Sequence, residues 1–234
     1  MTEKFRWGII GTGAITQKFA TDLANLPDAV PYAVGSRSQA SADTFAEKFG
    51  MENAYEGYDA LIADPDVDAI YIGTPHPFHK ENTIACLEGG KPVLCEKPFA
   101  INSADAIEMV SKARELGVLL MEAMWTRFLP VQIQVQDWLK AGAIGQVLSL
   151  TCDFGFRTSF NPEGRLFNPD LGGGALLDVG IYTVSYASMV FGQQPESINA
   201  DAYFGESGVD EQNAEIFTYP DGQQAILSSA IRIK

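Results

Sequence analysis

Phe5-Arg6-Trp7-Gly8-Ile9-Ile10-Gly11-Thr12-Gly13-Ala14-Ile15-Thr16 is the stretch on which the fold turns. Its first half is a strand-like apolar run, and its second half opens a helical pattern with two glycines between them. Gly11 permits a tight turn, and Gly13 lets a backbone approach a pyrophosphate group. The helix that follows offers unpaired N–H groups and a partial positive charge. Strand, glycine loop and helix in this order are the context that a dinucleotide-binding loop requires. Thr16 stands at the third position of the pattern, where glycine or alanine is usual.

The pattern continues in both directions of inference. Strand-like runs at Phe5–Ile10, Val30–Gly35, Ala69–Gly73, Pro92–Cys95 and Val118–Met121 alternate with helical segments. One helix repeats Ala42, Phe45, Ala46 and Phe49 and stops at Gly50. Another starts at an Asn102 cap, presents Ile107, Val110, Ala113 and Leu116 on one face, and stops at Gly117. Repeated strand–helix–strand units imply right-handed crossovers and a parallel sheet covered on both faces. Beyond Trp125 the grammar changes: a helix near Pro130–Ala141, then longer strands at Gln146–Phe156, Ser197–Phe204, Asn213–Tyr219 and Gln223–Ile233. A loop at Arg157–Gly174 feeds a helix over Ala175–Val190. Alternating polar and apolar strands predict a largely antiparallel, open-faced sheet. The expected fold is therefore α/β: a Rossmann-type doubly wound domain over residues 1–124, then an α+β substrate and dimerisation domain over 125–234. The chain ends inside Ala225–Lys234, which still reads as a strand with an exposed edge, so the second domain is expected to be incomplete.

The bulk numbers bound the partners. At 234 residues the chain fits one full domain and a smaller one. A formal charge of −14 makes nucleic acid and anionic membranes poor partners. Cys86, Cys95 and Cys152 lack the spacing of a disulfide framework or a zinc site, and His76 and His79 have no acidic or thiol ligands beside them, so no metal is expected. No signal-type core and no apolar stretch long enough for a bilayer is evident, and a cytoplasmic location follows by default.

Cofactor choice rests on the tip of the second strand. Where an acidic residue would hold a ribose 2′-hydroxyl, the sequence reads Gly35-Ser36-Arg37-Ser38. Arg37 suits a 2′-phosphate, with Ser36 and Ser38 as donors, which favours NADP(H) and leaves NAD open. The blander reading is a solvated arginine beside a serine helix cap. Two further runs lie at strand ends, where open α/β sheets place ligands: Gly73-Thr74-Pro75-His76-Pro77-Phe78-His79 and Cys95-Glu96-Lys97-Pro98. Pro98 confines Lys97 to extended conformations and admits a cis bond. A third run, Gly172 to Tyr182, puts Asp178 and Tyr182 four apart, on one face of a helix.

These motifs resemble the Gfo/Idh/MocA oxidoreductases. Glu96-Lys97-Pro98 matches that family's signature, and Asp178 through Tyr182 is similar to its second motif, where many members carry histidine last. Glu122 through Pro130, the Thr74–His79 run and the tyrosine resemble the dimeric dihydrodiol dehydrogenase branch. The resemblance implies Lys97 near the nicotinamide and the substrate oxygen, Tyr182 as proton donor or acceptor, and Asp178 as a helper. It also implies that Gly11, Thr12, Gly13, Ala14, Ile15, Ser36, Arg37, Thr74, Pro75, His76, His79, Glu96 and Lys97 line the cofactor, with Trp125 and Arg127 as walls. Hydride transfer to a carbonyl builds charge on oxygen that an ammonium stabilises, and a tyrosine beside a lysine has a pKa suited to proton exchange. The expected activity is hydride transfer between NADP(H) and a secondary alcohol or carbonyl of a sugar, polyol or cyclic trans-diol, in a homodimer if the second sheet is complete. The alternatives are a non-catalytic NAD(P)-binding regulator and an NAD-dependent glycoside hydrolase. Phe154, Phe156, Phe160 and Phe167 around the long loop fit either a pocket wall or ordinary core packing.

Overall fold

A computed structural model describes residues 4–233. It divides into two compact units, the first running to Ala123 and the second from Met124.

In the first unit, β1 (Phe5–Ile10), β2 (Ala29–Ser36), β3 (Asn53–Glu56), β4 (Ala69–Ile72), β5 (Val93–Cys95) and β6 (Leu120–Glu122) form one parallel sheet in the order β3-β2-β1-β4-β5-β6. The order reverses at β1, so the crevice beyond its C-terminal end is the topological switch point of this architecture. Successive side chains of a strand point to opposite faces, and the core divides accordingly. Ile9, Val34 and Tyr71 pack with Ala20 of α1 (Ala14–Leu23) and with Ala42, Phe45 and Ala46 of α2 (Gln39–Phe49). Ile10, Ile70 and Ile72 pack on the other face against α3 (Asp59–Ala63), α4 (His79–Glu88) and α5 (Ser103–Leu116).

The helix ends fall where the sequence puts them. Gly50 and Gly117 end α2 and α5 at φ +66° and +65°, and Asn102 caps α5 by accepting from the Asp105 N–H at 2.9 Å. Two expectations need correction. The face of α5 that packs is Ala106, Met109, Val110 and Ala113; Ile107 is 66% exposed and Leu116 is exposed as well. The packed set has the i, i+3, i+4, i+7 spacing of a helical stripe, and Ile107 falls outside it. The pattern of strands also lacks β3, because Asn53-Ala54-Tyr55-Glu56 is a short edge strand with no buried residue to mark it.

In the second unit, β7 (Ser149–Gly155), β8 (Ser197–Phe204), β9 (Asp210–Thr218) and β10 (Gln224–Ala230) make a sheet in the order β7-β10-β9-β8. The β8–β9 and β9–β10 pairings are antiparallel and β10–β7 is parallel. The final strand is thus interior, and the sheet's edges are β7 and β8, contrary to the expectation of a terminal edge strand. Inward residues Phe217, Ala225 and Leu227 pack with Ala187, Val184 and Phe191 of α7 (Ile181–Phe191), while Ile216 and Ile226 alternate outward and remain exposed. A second helix, α6, covers Pro130–Lys140. The long loop closes over Phe167, which is 1% exposed, with Phe156 and Phe160 packed beside it. Those aromatics are core, whereas Phe154 remains 41% exposed.

The helix expected over Ala175–Val190 begins differently. Leu176–Gly180 forms a π turn that leads into α7, so Asp178 and Tyr182 are joined through a widened turn rather than a regular α-helix. With the turns before it, the stretch Pro169–Phe191 is 23 residues long with mean hydropathy 1.3, long and apolar enough to cross a membrane by composition. This corrects the sequence expectation. One side of the stretch packs inward, with Ala175, Val179 and Ala187 buried in the unit's two cores and Asp178 buried beside them, while Leu176 is exposed.

Candidate active site

In the first unit the sequence-predicted residues converge on the C-terminal ends of β1, β2, β4 and β5. Gly11 has φ +100°, in the region that favours glycine, and its N–H donates to the Gly35 carbonyl at 3.0 Å. Gly13 precedes α1 without any side-chain cap. The first intrahelical bond there is Gln17 N–H to the Gly13 carbonyl, so the N–H groups of the first turn have no partner within the helix. A Cβ built on Gly13 meets no atom within 4 Å. The space beside Gly13 is open. That cradle fits a dinucleotide pyrophosphate.

Thr16 departs from the glycine pattern, and the structure explains how. Thr16 is fully buried, its Oγ1 donates to the Gly13 carbonyl at 2.8 Å, and a Cβ on Gly73 would lie 2.4 Å from its Cγ2. The glycine needed for close packing has moved from the helix to the end of β4.

At the tip of β2, Arg37 is exposed and Ser38 caps α2 by accepting from the Ser41 N–H. Ser36 is buried, with its hydroxyl 3.5 Å from that of Thr12. Arg37 and Ser38 are both exposed at the tip, Ser38 also capping α2, while Ser36 is buried against Thr12.

Lys97 lies between a buried carboxylate and a cis peptide bond to Pro98. Glu96 is 8% exposed; it accepts from the Tyr71 hydroxyl and, at 3.1 Å, from the Lys97 N–H. Burial pushes its carboxyl above the ordinary value, against the opposing pull of the Tyr71 hydroxyl, the Lys97 N–H and the Lys97 charge. His79 is fully buried, with Nδ1 2.9 Å from the Pro98 carbonyl and Nε2 2.9 Å from the Thr74 carbonyl. It ties the two strand-end loops together. Desolvation lowers its pKa, against the attraction of the Thr74, Pro98 and Phe99 carbonyls. Thr74 is held a second time, its Oγ1 accepting from Asn82 at 3.1 Å. Pro75 is exposed and His76 half-buried, its ring 5.8 Å from that of His79. Tyr71, Asn82 and Glu122, which accepts from the Phe99 N–H at 3.1 Å, belong to this framework and escaped the sequence reading. Tyr71 reads as an ordinary strand residue, and only its position opposite Glu96 reveals the bond.

In the second unit, Tyr182 is half-buried and its hydroxyl accepts from Trp125 Nε1 at 3.0 Å. Phe154 lies beside the same ring at a centroid distance of 5.4 Å. Arg127 donates to the Ser185 hydroxyl at 2.9 Å and to its carbonyl at 3.1 Å, pinning the turn Trp125–Phe128 to α7. Asp178 is 4% exposed and receives Arg165 NH1 at 2.6 Å. Arg165 comes from the long loop and was not singled out as a site residue, for nothing local ties it to Asp178. Among the described residues no group of three or more His, Cys, Asp or Glu is placed to hold a metal. The thiols of Cys86 and Cys95 are buried, and burial pushes Cys86 up to about 12 and Cys95 higher still.

Comparison with known proteins follows this division. Residues 5–124 match the profile of the Gfo/Idh/MocA oxidoreductase family, NAD-binding Rossmann fold, and residues 133–233 match the Gfo/Idh/MocA C-terminal domain. A trans-1,2-dihydrobenzene-1,2-diol dehydrogenase of Xenopus laevis is 44% identical over 229 residues, covering 97% of this chain and 69% of the relative. A 3-ketoreductase from Actinomadura kijaniata, solved with NADP and TDP-benzene, superposes with a TM-score of 0.90 at 32% identity, over 99% of this chain and 71% of that one. The aldose–aldose oxidoreductase of Caulobacter crescentus, complexed with glycerol, gives a TM-score of 0.92 at 29% identity, over 99% of this chain and 72% of that one. With both halves matched in order, the chain belongs to the Gfo/Idh/MocA family of NAD(P)-dependent oxidoreductases.

Proposed function

We propose that the protein transfers a hydride between NADP(H) and a secondary alcohol or carbonyl of a cyclic trans-diol, sugar or polyol. The observation that carries this reading is the Lys97 loop: an ammonium at the end of β5, its backbone fixed by buried Glu96 and its loop tied to Thr74 through His79. The glycine cradle and the N-terminus of α1 hold the pyrophosphate, and Arg37 holds the 2′-phosphate. Bound there, the cofactor supplies the hydride. Lys97 stabilises the negative charge that develops on the substrate oxygen. Tyr182 gives or takes the proton, its hydroxyl aimed by Trp125. The Phe154 and Trp125 rings beside the Tyr182 ring suit an apolar ring face on the substrate. Relatives named as diol dehydrogenases and the NADP-bound ketoreductase support the substrate class and the cofactor.

Replacing Lys97 with Met tests the reading. With trans-1,2-dihydrobenzene-1,2-diol and NADP, turnover should fall by at least a hundredfold while the NADPH dissociation constant changes less than threefold. Wild-type turnover in Lys97→Met would refute the assignment. Release of sugar from a glycoside with no net reduction of cofactor would identify the hydrolase instead. We further propose that self-association uses the uncovered face of the second sheet, where Ile216 and Ile226 lie exposed, and that the protein works in the cytoplasm. Light scattering across a concentration series tests the first of these.

A further inference from the structure

Asp210 opens β9, and its side chain reaches the helical run that carries Asp178 and Tyr182. Its Oδ2 accepts from the Leu176 N–H at 2.7 Å and from Asn213 Nδ2 at 2.6 Å. Asn213 Oδ1 accepts in turn from the Ser229 hydroxyl at 2.7 Å, and these two residues are cross-strand partners on β9 and β10. Asn213 and Ser229 are both buried. Two glycines of the run are cut to fit the network. A Cβ on Gly174 would lie 2.1 Å from Asp210 Oδ1, and one on Gly180 would lie 2.8 Å from Ser229 Oγ. Gly174 also has φ +117°, which L side chains rarely adopt.

The geometry points to Asp210, Asn213 and Ser229 as a positioning device for the proton-transfer tyrosine; it rests on the reading of Tyr182 given above. The π turn Leu176–Gly180 lies between the two places where the sheet grips the run, Leu176 and Gly180. Such turns are rare, and a helix left to itself prefers the i→i+4 register. Reverting to that register shifts everything after the turn by one residue, a rotation of about 100°. The Asp210 carboxylate holds the orphan N–H at the start of the run, where a negative charge also suits the helix dipole. Ser229 sits against Gly180, two residues before Tyr182. The Asn213–Ser229 end of the network is buried and satisfied, and such a network selects one arrangement of the elements it joins. Here the arrangement selected is the π register, which sets where the Tyr182 hydroxyl stands relative to Trp125 and Phe154. None of the three network residues needs to touch the substrate.

The experiment compares Asp210→Ala, Asp210→Asn and Gly180→Ala with Tyr182→Phe, using trans-1,2-dihydrobenzene-1,2-diol and NADP as probes. Asp210→Ala should lower kcat at least tenfold with the NADPH dissociation constant within twofold of the parent. Asp210→Asn keeps an oxygen that accepts both hydrogen bonds, and should restore kcat to within threefold. Gly180→Ala, which presses on Ser229 without deleting a buried bond, should lower kcat at least fivefold, and it decides the matter if Asp210→Ala fails to fold. Folded Asp210→Ala or Gly180→Ala with parental kcat, beside an inactive Tyr182→Phe, would overturn the positioning role while leaving the tyrosine in place. Full turnover in Tyr182→Phe would overturn the tyrosine assignment and this inference together.

Discussion

Gly13→Ala separates the cofactor cradle from the stability of the fold. The backbone at Gly13 has φ −76° and ψ −176°, an extended conformation open to any residue, and the added Cβ meets nothing within 4 Å. Alanine is a poorer N-cap than glycine by roughly 0.5–1 kcal/mol. Against that, loss of backbone freedom in the unfolded chain contributes roughly 0.4–1 kcal/mol of stabilisation. The two effects nearly cancel, so the melting temperature should move by no more than about 2 °C. Binding is another matter. On the proposed placement, the methyl group enters the open space beside the uncapped first turn of α1, where a phosphate would take its N–H donors. Each charge-assisted hydrogen bond lost there costs about 1.5–3 kcal/mol, or roughly ten- to hundredfold in affinity. Titration of tryptophan fluorescence with NADPH, run beside a thermal melt, reads both quantities on one sample. Parental NADPH affinity in Gly13→Ala would refute the placement of the pyrophosphate. A large drop in melting temperature with unchanged affinity would show that the glycine serves packing, against the open space found around it. The same titration with NADH tests Arg37: NADPH should bind at least tenfold tighter, and Arg37→Ala should erase the difference.

The remaining predictions concern packing and burial. Gly73→Ala drives a methyl to 2.4 Å from Thr16 Cγ2 and should destabilise the protein by about 1–3 kcal/mol. Thr16→Ser removes that methyl, so the double variant should recover most of the loss in a urea unfolding curve. If the double variant is no more stable than Gly73→Ala alone, the exchange of glycine and threonine between α1 and β4 is not what fits the two elements together. Glu215 is 5% exposed with no hydrogen-bond partner for Oε2, and burial, helped by the Asp210 charge, raises its pKa above the ordinary 4.5. A raised carboxyl pKa means that the folded state holds the proton more tightly. The site is most favourable below the unfolded value and loses stability as pH rises through the folded one. Glu215→Gln should therefore stabilise the protein at pH 7 and flatten the fall in stability above pH 4.5. An unchanged denaturation profile against pH would show that this carboxylate is hydrated.

Sequence by itself determined the elements whose cause is local. The alternation of Ile9 with Ile10, repeated in the third run by Tyr71 with Ile70 and Ile72, marks a sheet covered on both faces. Glycine at 50 and 117 and asparagine at 102 stop and start helices through their own backbone and side-chain chemistry, and the glycine loop before α1 carries its conformational need in the residue type. Lys97, Tyr182 and Arg37 are proposed on the same local ground, each standing in a motif at a strand end or in a helical run. Tertiary structure decided whatever depends on a partner distant in the chain. The strand β3 exists because β2 offers it an edge, not because Asn53–Glu56 is apolar. Thr16 is tolerated because Gly73 lies across from it, 57 residues away in sequence. His79 became a buried clamp when two loops brought their carbonyls to its two nitrogens. The π turn before Tyr182 exists where Asp210 and Ser229 meet Leu176 and Gly180, and no periodicity within residues 175–190 records a contact made by residues 210 and 229. Short-range preferences are written residue by residue, whereas fit between elements is fixed only when both surfaces are in place.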